Sequence, residues 1–151
     1  MKRFVLLLLC IFALSCNKNK FCEPNNQKAP DAEVAALEAY LTNNGINTTK
    51  DSRGFFYIID EPGSGKKPTI CSTVAVAYTG KFLDGRTFDS SNGVSFSLQR
   101  LIVGWQQAIP LIAKGGKIKL YLPPSLAYGS GGSGSIPGNT NLYFEISLLD
   151  L

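Results

Sequence analysis

The chain has 151 residues and a formal net charge of +4, from 15 basic and 11 acidic side chains, with no histidine. This length fits one domain with attached segments, and so small a charge, spread along the chain, argues against a nucleic-acid partner. The lack of histidine excludes catalysis by an imidazole, and the four cysteines form no CxxC or cysteine–histidine cluster, so we expect no metal site and no cofactor.

The N-terminal sequence MKRFVLLLLCIFALSC has the form of a secretory signal. Two basic residues precede an apolar run of about a dozen residues, too short to span a bilayer as a stable helix. The run ends in Ala13-Leu14-Ser15-Cys16, which resembles a bacterial lipobox, although leucine is usual where Ala13 stands. We expect residues 1–15 to be removed, Cys16 to be lipidated, and the protein to be anchored in the bacterial cell envelope facing the periplasm. An ordinary signal with a chance cysteine is the alternative.

Residues 16–53 are expected to form a tether that contains one helix. Residues 17–30 are polar and include two prolines, which is typical of a flexible spacer. The sequence DAEVAALEAYLTN then predicts an amphipathic helix over about 31–43, with Asp31 as its N-cap. Its apolar stripe either packs against the domain, which we favour, or meets a second copy of the chain. We therefore expect a monomer.

Two cysteines remain outside the signal and the lipidation site. Cys22 lies in the tether, and Cys71 lies at the entrance of a predicted strand. The cell envelope permits a disulfide, but nothing in the sequence brings the two residues together. We expect them to stay unpaired.

From Gly54 onward the apolar residues alternate with polar ones, a period typical of half-buried strands. Asp84-Gly85 predicts a hairpin, and Asn92-Gly93 predicts a second turn. One helical segment, GWQQAIPLIAKGG, contains Pro110, which lacks a backbone donor, so this helix must be short or bent. With about five strands, the pattern predicts an α+β domain over 54–151, an antiparallel sheet with one wet face and one helix over the other. The inward-facing sets are Val74, Val76 and Tyr78; Val94, Phe96 and Leu98; Ile118, Leu120 and Leu122; and Leu142, Phe144, Ile146 and Leu148.

The domain lacks the residue sets of the common catalytic mechanisms. It has no GxSxG, no phosphate-binding glycine loop and no acid pair at a metal-binding spacing. Such a domain either only binds, or catalyses a reaction that needs neither a nucleophile nor proton transfer. Rotation about an X–Pro peptide bond is such a reaction, since its barrier of about 18–20 kcal/mol arises from amide resonance. An apolar pocket with a few fixed donors favours the less polar, twisted amide.

Eight short motifs follow one another in the order, and at nearly the spacing, of a known family. They are Val76-Ala77-Tyr78-Thr79-Gly80, Asp84-Gly85, Phe88-Asp89-Ser90-Ser91, Ile102-Val103-Gly104-Trp105, Gly115-Gly116-Lys117, Leu122-Pro123-Pro124, Leu126-Ala127-Tyr128-Gly129 and Ile136-Pro137. Over about residues 68–151 the chain resembles the FKBP family, the macrolide-binding peptidyl-prolyl isomerases. The resemblance implies the FKBP-like fold, a twisted antiparallel sheet wrapped around one short helix. It also implies isomerisation of X–Pro bonds in unfolded or exported polypeptides, with a macrolide as a candidate ligand.

The resemblance implies a role for individual residues. Trp105 would be the platform under the substrate proline ring, the backbone N–H of Ile102 and the hydroxyl of Tyr128 would bind substrate carbonyls, and Asp89 would organise the polar edge. The pocket walls and rim would be formed by Tyr78, Phe88, Val94, Phe96, Leu101 and Phe144, with Ala127 and Ile136 in a flap over the site. For each wall residue, core filling is the alternative. A second possibility for the whole domain is a peptide-binding chaperone or scaffold with little turnover, but Trp105, Asp89 and Tyr128, which degenerate members usually lose, are all present.

Three departures from the family pattern alter the expected site. The loop after Asp89 is shortened to Ser90-Ser91-Asn92-Gly93 and lacks the arginine that many relatives have there. The flap 129–135 is nearly pure glycine and serine, so we expect it to be mobile and to offer a macrolide little apolar contact. Gln99-Arg100 stands where relatives often have glycine followed by a polar or acidic residue, which changes the charge of the rim.

Overall fold

The fold is seen in a computed structural model that describes residues 22–151. The predicted signal, the lipidation site at Cys16 and the first part of the tether lie outside the described residues. No helix within residues 22–151 is long and apolar enough to cross a membrane.

Within residues 22–151, six strands form one antiparallel sheet, and two α-helices accompany it. The strands are β1 (Thr49–Lys50), β2 (Phe56–Glu61), β3 (Thr73–Phe82), β4 (Thr87–Ser97), β5 (Lys117–Leu122) and β6 (Leu142–Asp150), and their order in the sheet is β1-β2-β5-β6-β3-β4. The helices are α1 (Asp31–Asn43) and α2 (Val103–Ala108), with 3₁₀ turns at Leu98–Arg100, Ile109–Leu111 and Pro124–Leu126. The predicted α+β class is confirmed. The short strand β1 adds to the expected count, because the polar stretch 46–53 pairs with β2.

Helix α2 packs directly on the sheet and closes the core. The alternating residues of β5 and β6 point inward as predicted, and Leu120, Leu122 and Leu142 are fully buried. A Cβ on Gly104 would lie 2.3 Å from Cδ2 of Leu122, so the lack of a side chain at Gly104 allows α2 to approach β5 this closely. The α-helix ends at Ala108 and continues as the 3₁₀ turn that contains Pro110, which confirms that it is short.

The two predicted turns around β4 have different outcomes. Asp84-Gly85 forms the expected hairpin between β3 and β4, and Gly85 has a φ of +91°, which favours glycine. The second turn, predicted at Asn92-Gly93, is wrong, because β4 runs through this pair without a reversal. The ladder register shifts there between Val76 and Tyr78 of β3, so Asn92-Gly93 forms a β-bulge.

Residues 22–30, which we term the strap, are attached to the domain at both ends. Cys22 forms a disulfide with Cys71, just before β3, with the two Cα atoms 5.4 Å apart. At the other end Ala29 is buried, and its N–H donates to the carbonyl of Arg53 at 2.9 Å. The expectation that the two cysteines stay unpaired is therefore wrong. The sequence separation of 49 residues explains why no local pattern indicated the pairing.

Between these two attachments the strap is bonded to the domain. Gln107 of α2 is only 2% exposed, and its side-chain amide donates to the carbonyls of Asn25 (3.0 Å) and Gln27 (2.8 Å). The side chain of Gln27 donates in turn to the carbonyl of Ser125 at 3.0 Å. The prediction of a flexible spacer is wrong for residues 22–30, because the disulfide and the hydrogen bonds of Asn25, Gln27 and Ala29 attach this segment to the domain.

Helix α1 spans Asp31–Asn43, as predicted, and lies against the domain. Its apolar residues Val34, Leu37 and Leu41 are buried in the common core, which confirms the interpretation that we favoured. The hydroxyl of Tyr40 also donates to the carbonyl of Leu83 at 2.8 Å. The N-cap is the preceding proline rather than Asp31, which becomes the first helical residue. An acidic side chain in the first turn interacts favourably with the helix dipole.

Candidate functional site

A cavity of about 290 Å³ opens beside α2, at the small end of the range for ligand sites. It is lined by Tyr78, Phe88, Asp89, Phe96, Arg100, Leu101, Ile102, Trp105, Tyr128 and Phe144. All of these except Arg100 are predicted site residues. The fold therefore brings separate sequence motifs together at the cavity. They come from strands β3, β4 and β6, from the segment before α2, from α2 itself and from the loop after β5.

Trp105 lies at the centre of the aromatic cluster that lines the cavity. Its side chain is only 4% exposed. The rings of Tyr78, Phe144 and Phe96 stand roughly edge-to-face against the indole, with centroid distances of 5.1, 5.3 and 6.5 Å. Each such aromatic pair contributes about 0.5–1.5 kcal/mol beyond the area that it buries. These contacts hold the indole in one orientation, as a platform within the cavity requires.

Phe88 reaches the cavity because Gly80 on the neighbouring strand has no side chain. A Cβ on Gly80 would lie 2.6 Å from Cζ of Phe88 and 3.0 Å from Cε1 of Phe144. The two phenylalanine rings pack edge-to-face with centroids 5.6 Å apart. The final glycine of the motif Val76-Ala77-Tyr78-Thr79-Gly80 thus makes room for one wall of the cavity.

The polar edge of the cavity is organised by Asp89. The hydroxyl of Tyr78 donates to Oδ2 of Asp89 at 2.6 Å. Burial, together with this hydrogen bond and the negative charge of Asp89, raises the pKa of Tyr78 to about 12. Burial, and then the charge of Asp89, also raises the pKa of Tyr128. Both phenols stay protonated at neutral pH, so each can act only as a neutral hydrogen-bonding group.

Three hydrogen-bond donors at the cavity have no partner within residues 22–151. They are the backbone N–H of Ile102 at the N-cap of α2, the hydroxyl of Tyr128, and the indole N–H of Trp105, which is buried and unsatisfied. A buried donor without an acceptor is unfavourable. Aromatic walls with unused donors suit a ligand that combines an apolar ring with carbonyl oxygens. The described part of the chain contains no cluster of side chains that could hold a metal ion.

Gln106 holds the rim segment that precedes α2, and sequence reasoning missed it. Its Nε2 donates to the carbonyls of Leu101 (2.6 Å) and Gln99 (3.2 Å). Its Oε1 accepts a hydrogen bond from the side chain of Asn25 in the strap at 2.9 Å. The rim that presents the N–H of Ile102 is therefore linked to the strap. No local signal marks Gln106 or Asn25, because polar amides are ordinary on a helix surface and in a spacer.

Three predicted site residues do not line the cavity. Val94 pairs with Val76 in the ladder and packs against the core. Ala127 is half-buried against the same core, and Ile136, at 7% exposure, belongs to it. For these three residues the alternative, core filling, describes the position that they occupy.

The glycine- and serine-rich loop 128–139 is bonded across itself. The N–H of Ser133 and the N–H of Ile136 each donate to the other residue's carbonyl at 2.9 Å. A Cβ on Gly138 would lie 2.0 Å from the carbonyl oxygen of Ser130, so glycine permits this close backbone approach. The glycine content therefore serves the loop's own packing. Its mobility stays a prediction.

Comparison with known protein families gives one match. The family model described as FKBP-type peptidyl-prolyl cis-trans isomerase matches residues 64–149. The chain is similar to the FKBP-type peptidyl-prolyl cis-trans isomerase FkpA of Escherichia coli (strain K12), with 42% identity over 118 residues, which cover 76% of this chain and 43% of that protein. The chain thus spans less than half the length of this curated relative.

Solved structures with a similar fold include two bacterial proteins. The crystal structure of FkpA from Escherichia coli gives a TM-score of 0.72 at 38% identity, over 80% of this chain and 59% of the other. A peptidyl-prolyl cis-trans isomerase from Pseudomonas syringae pv. tomato gives a TM-score of 0.70 at 32% identity, over 82% of this chain and 97% of the other. The FKBP-like fold implied by the sequence motifs is confirmed.

Proposed function

Because the chain belongs to the FKBP-type peptidyl-prolyl cis-trans isomerase family, we propose that it catalyses cis–trans isomerisation of X–Pro bonds in polypeptides. One observation carries the proposal above all. An aromatic cavity around Trp105 is bordered by two unpartnered donors, the N–H of Ile102 and the hydroxyl of Tyr128. The substrates would be proline-containing segments of unfolded or exported proteins, which present their X–Pro bonds in extended chain.

The proposed mechanism needs no covalent intermediate and no proton transfer. The proline ring lies on the indole of Trp105, and the N–H of Ile102 and the hydroxyl of Tyr128 donate to carbonyl oxygens beside the ring. The aromatic walls exclude water from the X–Pro bond. The twisted amide has lost its resonance and part of its polarity, so the pocket stabilises it more than it stabilises the planar ground state, and the barrier falls. Each tenfold acceleration requires about 1.4 kcal/mol of such preference. Asp89 acts by fixing the hydroxyl of Tyr78.

The test is a protease-free isomerisation assay on a short X–Pro peptide. We expect the purified full chain, in detergent, to accelerate cis-to-trans conversion at micromolar concentration. Binding of the peptide without acceleration would favour the alternative, a chaperone or scaffold with little turnover. If the chain neither binds the peptide nor accelerates its isomerisation, both functions are overturned. Competition by a macrolide, added to the same assay, reports whether such a ligand enters the cavity; we expect it to bind weakly, since loop 128–139 offers it little apolar surface.

We also propose that the protein acts as a monomer in the bacterial cell envelope, anchored by lipid at Cys16 and facing the periplasm. The apolar stripe of α1 is already buried within one chain, which supports a monomer. The disulfide between Cys22 and Cys71 supports an oxidising compartment, and the N-terminal sequence supports export and lipidation.

Replacement of Cys16 by alanine is expected to move the protein from the membrane fraction to the soluble fraction, because the acyl chains could no longer be attached. Fractionation followed by immunoblotting measures the effect. Cys10→Ala is the matched control, since it changes a cysteine within the apolar run and leaves the proposed lipidation site intact. Membrane association of Cys16→Ala equal to that of Cys10→Ala would contradict the anchor.

A further inference from the structure

Arg100 is the one basic side chain among the residues that line the cavity. It ends the 3₁₀ turn Leu98–Arg100 and is exposed at the rim. Its guanidinium makes no ion pair and no hydrogen bond with any residue of the described part of the chain. The only other charged residue that lines the cavity is Asp89, whose carboxylate accepts a hydrogen bond from the hydroxyl of Tyr78.

Apart from Asp89, the segments around the cavity supply no counter-charge to Arg100. No other charged residue occurs between Asp89 and Lys114, which includes the rim and α2, and none occurs between Lys119 and Glu145, which includes loop 128–139. Arg100 is therefore the one positive charge that lines the cavity, and its guanidinium is unpaired within residues 22–151 and lies next to apolar walls. The one negative charge of the lining, Asp89, is engaged with Tyr78. A guanidinium is a rigid fork of N–H donors that matches the geometry of a carboxylate.

We propose that the site favours substrates with an aspartate or glutamate within two residues of the proline, and that Arg100 determines this preference. The inference rests on the proposed function of the cavity. A substrate carboxylate that reaches Arg100 gains a charge-assisted hydrogen bond, whereas a lysine there is repelled. The negative charge of Asp89 repels a substrate carboxylate. The gain in kcat/KM is therefore confined to the peptide positions that lie near Arg100.

The experiment compares peptides that carry glutamate, glutamine or lysine at each of the two positions before the proline and each of the two positions after it. At low salt we expect kcat/KM for at least one position to be about threefold higher with glutamate than with glutamine, and lower with lysine, as for an exposed ion pair. High salt should reduce the difference. Arg100→Gln should abolish the glutamate-to-glutamine ratio, and Arg100→Glu should reverse it in favour of lysine. Lys66→Gln removes the same charge from an exposed residue outside the cavity and should keep the preference.

Two results would overturn the inference: equal kcat/KM for glutamate and glutamine peptides at all four positions, or a glutamate preference that persists in Arg100→Gln. Binding of the same peptides, followed by the fluorescence of the single tryptophan, tests the preference without turnover. If no peptide is isomerised, the proposed activity fails. The binding ratios still decide separately whether Arg100 selects acidic substrates.

Discussion

Replacement of Trp105 by leucine is expected to lower kcat/KM for an X–Pro peptide by at least about tenfold, which corresponds to about 1.4 kcal/mol. Leucine keeps the floor apolar but removes the flat surface under the proline ring. It also removes the edge-to-face contacts with Tyr78, Phe144 and Phe96, which hold the walls in place. The protease-free isomerisation assay measures the loss, and urea denaturation measures the accompanying fall in the free energy of unfolding.

Phe55→Leu provides the matched control for this variant. Phe55 is fully buried but does not line the cavity. Its replacement by leucine therefore also exchanges a buried aromatic ring for a smaller side chain, but away from the site. Both variants are expected to lose stability, since large-to-small core substitutions remove contacts and leave space. Only Trp105→Leu should lose activity per folded molecule. An equal loss of activity per folded molecule in the two variants would show that Trp105 acts through stability alone. It would contradict the role of Trp105 as the platform.

Removal of the disulfide is expected to lower the free energy of unfolding by about 4 kcal/mol, the value for a closed loop of about 50 residues. The double variant Cys22→Ser/Cys71→Ser frees the start of the strap, and the unfolded chain regains the conformations that the bond excludes. Urea denaturation under oxidising conditions measures the difference. Both cysteines are exposed, so a reductant should produce the same decrease in the unmodified protein.

The reductant also provides the control for this prediction. Reduction should not change the unfolding midpoint of the double variant, which has no bond between residues 22 and 71 to lose. If the unmodified protein has the same unfolding midpoint under oxidising and reducing conditions, the predicted contribution of the disulfide to stability is contradicted. The strap also contacts Gln106, so release of Cys22 should disturb the rim through Asn25. Amide exchange at Leu101, whose N–H donates to the carbonyl of Leu98, would report this effect.

The inward faces of the sheet were predictable because every second residue of a half-buried strand is apolar. Leu120, Leu122 and Leu142 needed no information beyond alternation. The short helix followed from Pro110, whose ring and missing N–H act locally. Asn92-Gly93 could not be assigned in the same way, since the same pair suits a turn or a bulge. The pairing of β3 with β4 continues on both sides of this pair with a shifted register, and this decides for the bulge.

The candidate site was predictable from motifs, but only to the level of the backbone position. The motifs identified Trp105 and Phe88, yet they also indicated Val94, which packs against the core, and Ile136, which is buried in it; neither lines the cavity. A motif fixes where a residue lies along the chain, whereas the register and the bulge fix which way its side chain faces. The contact between Asn25 and Gln106 joins residues 81 positions apart, so no local rule could reveal it.

The position of β6 in the sheet determines when the domain can fold. β6 lies between β5 and β3, so without it the sheet separates into the pieces β1-β2-β5 and β3-β4. β3 is complete at Phe82 and pairs with β4 through the hairpin, but its other partner, β6, begins only at Leu142. A growing chain therefore cannot close its core progressively, because non-local pairing of this kind must await the last strand. While it is being synthesised, this protein is itself an unfolded, aggregation-prone chain with unpaired strand edges, the same condition in which its proposed substrates would need help.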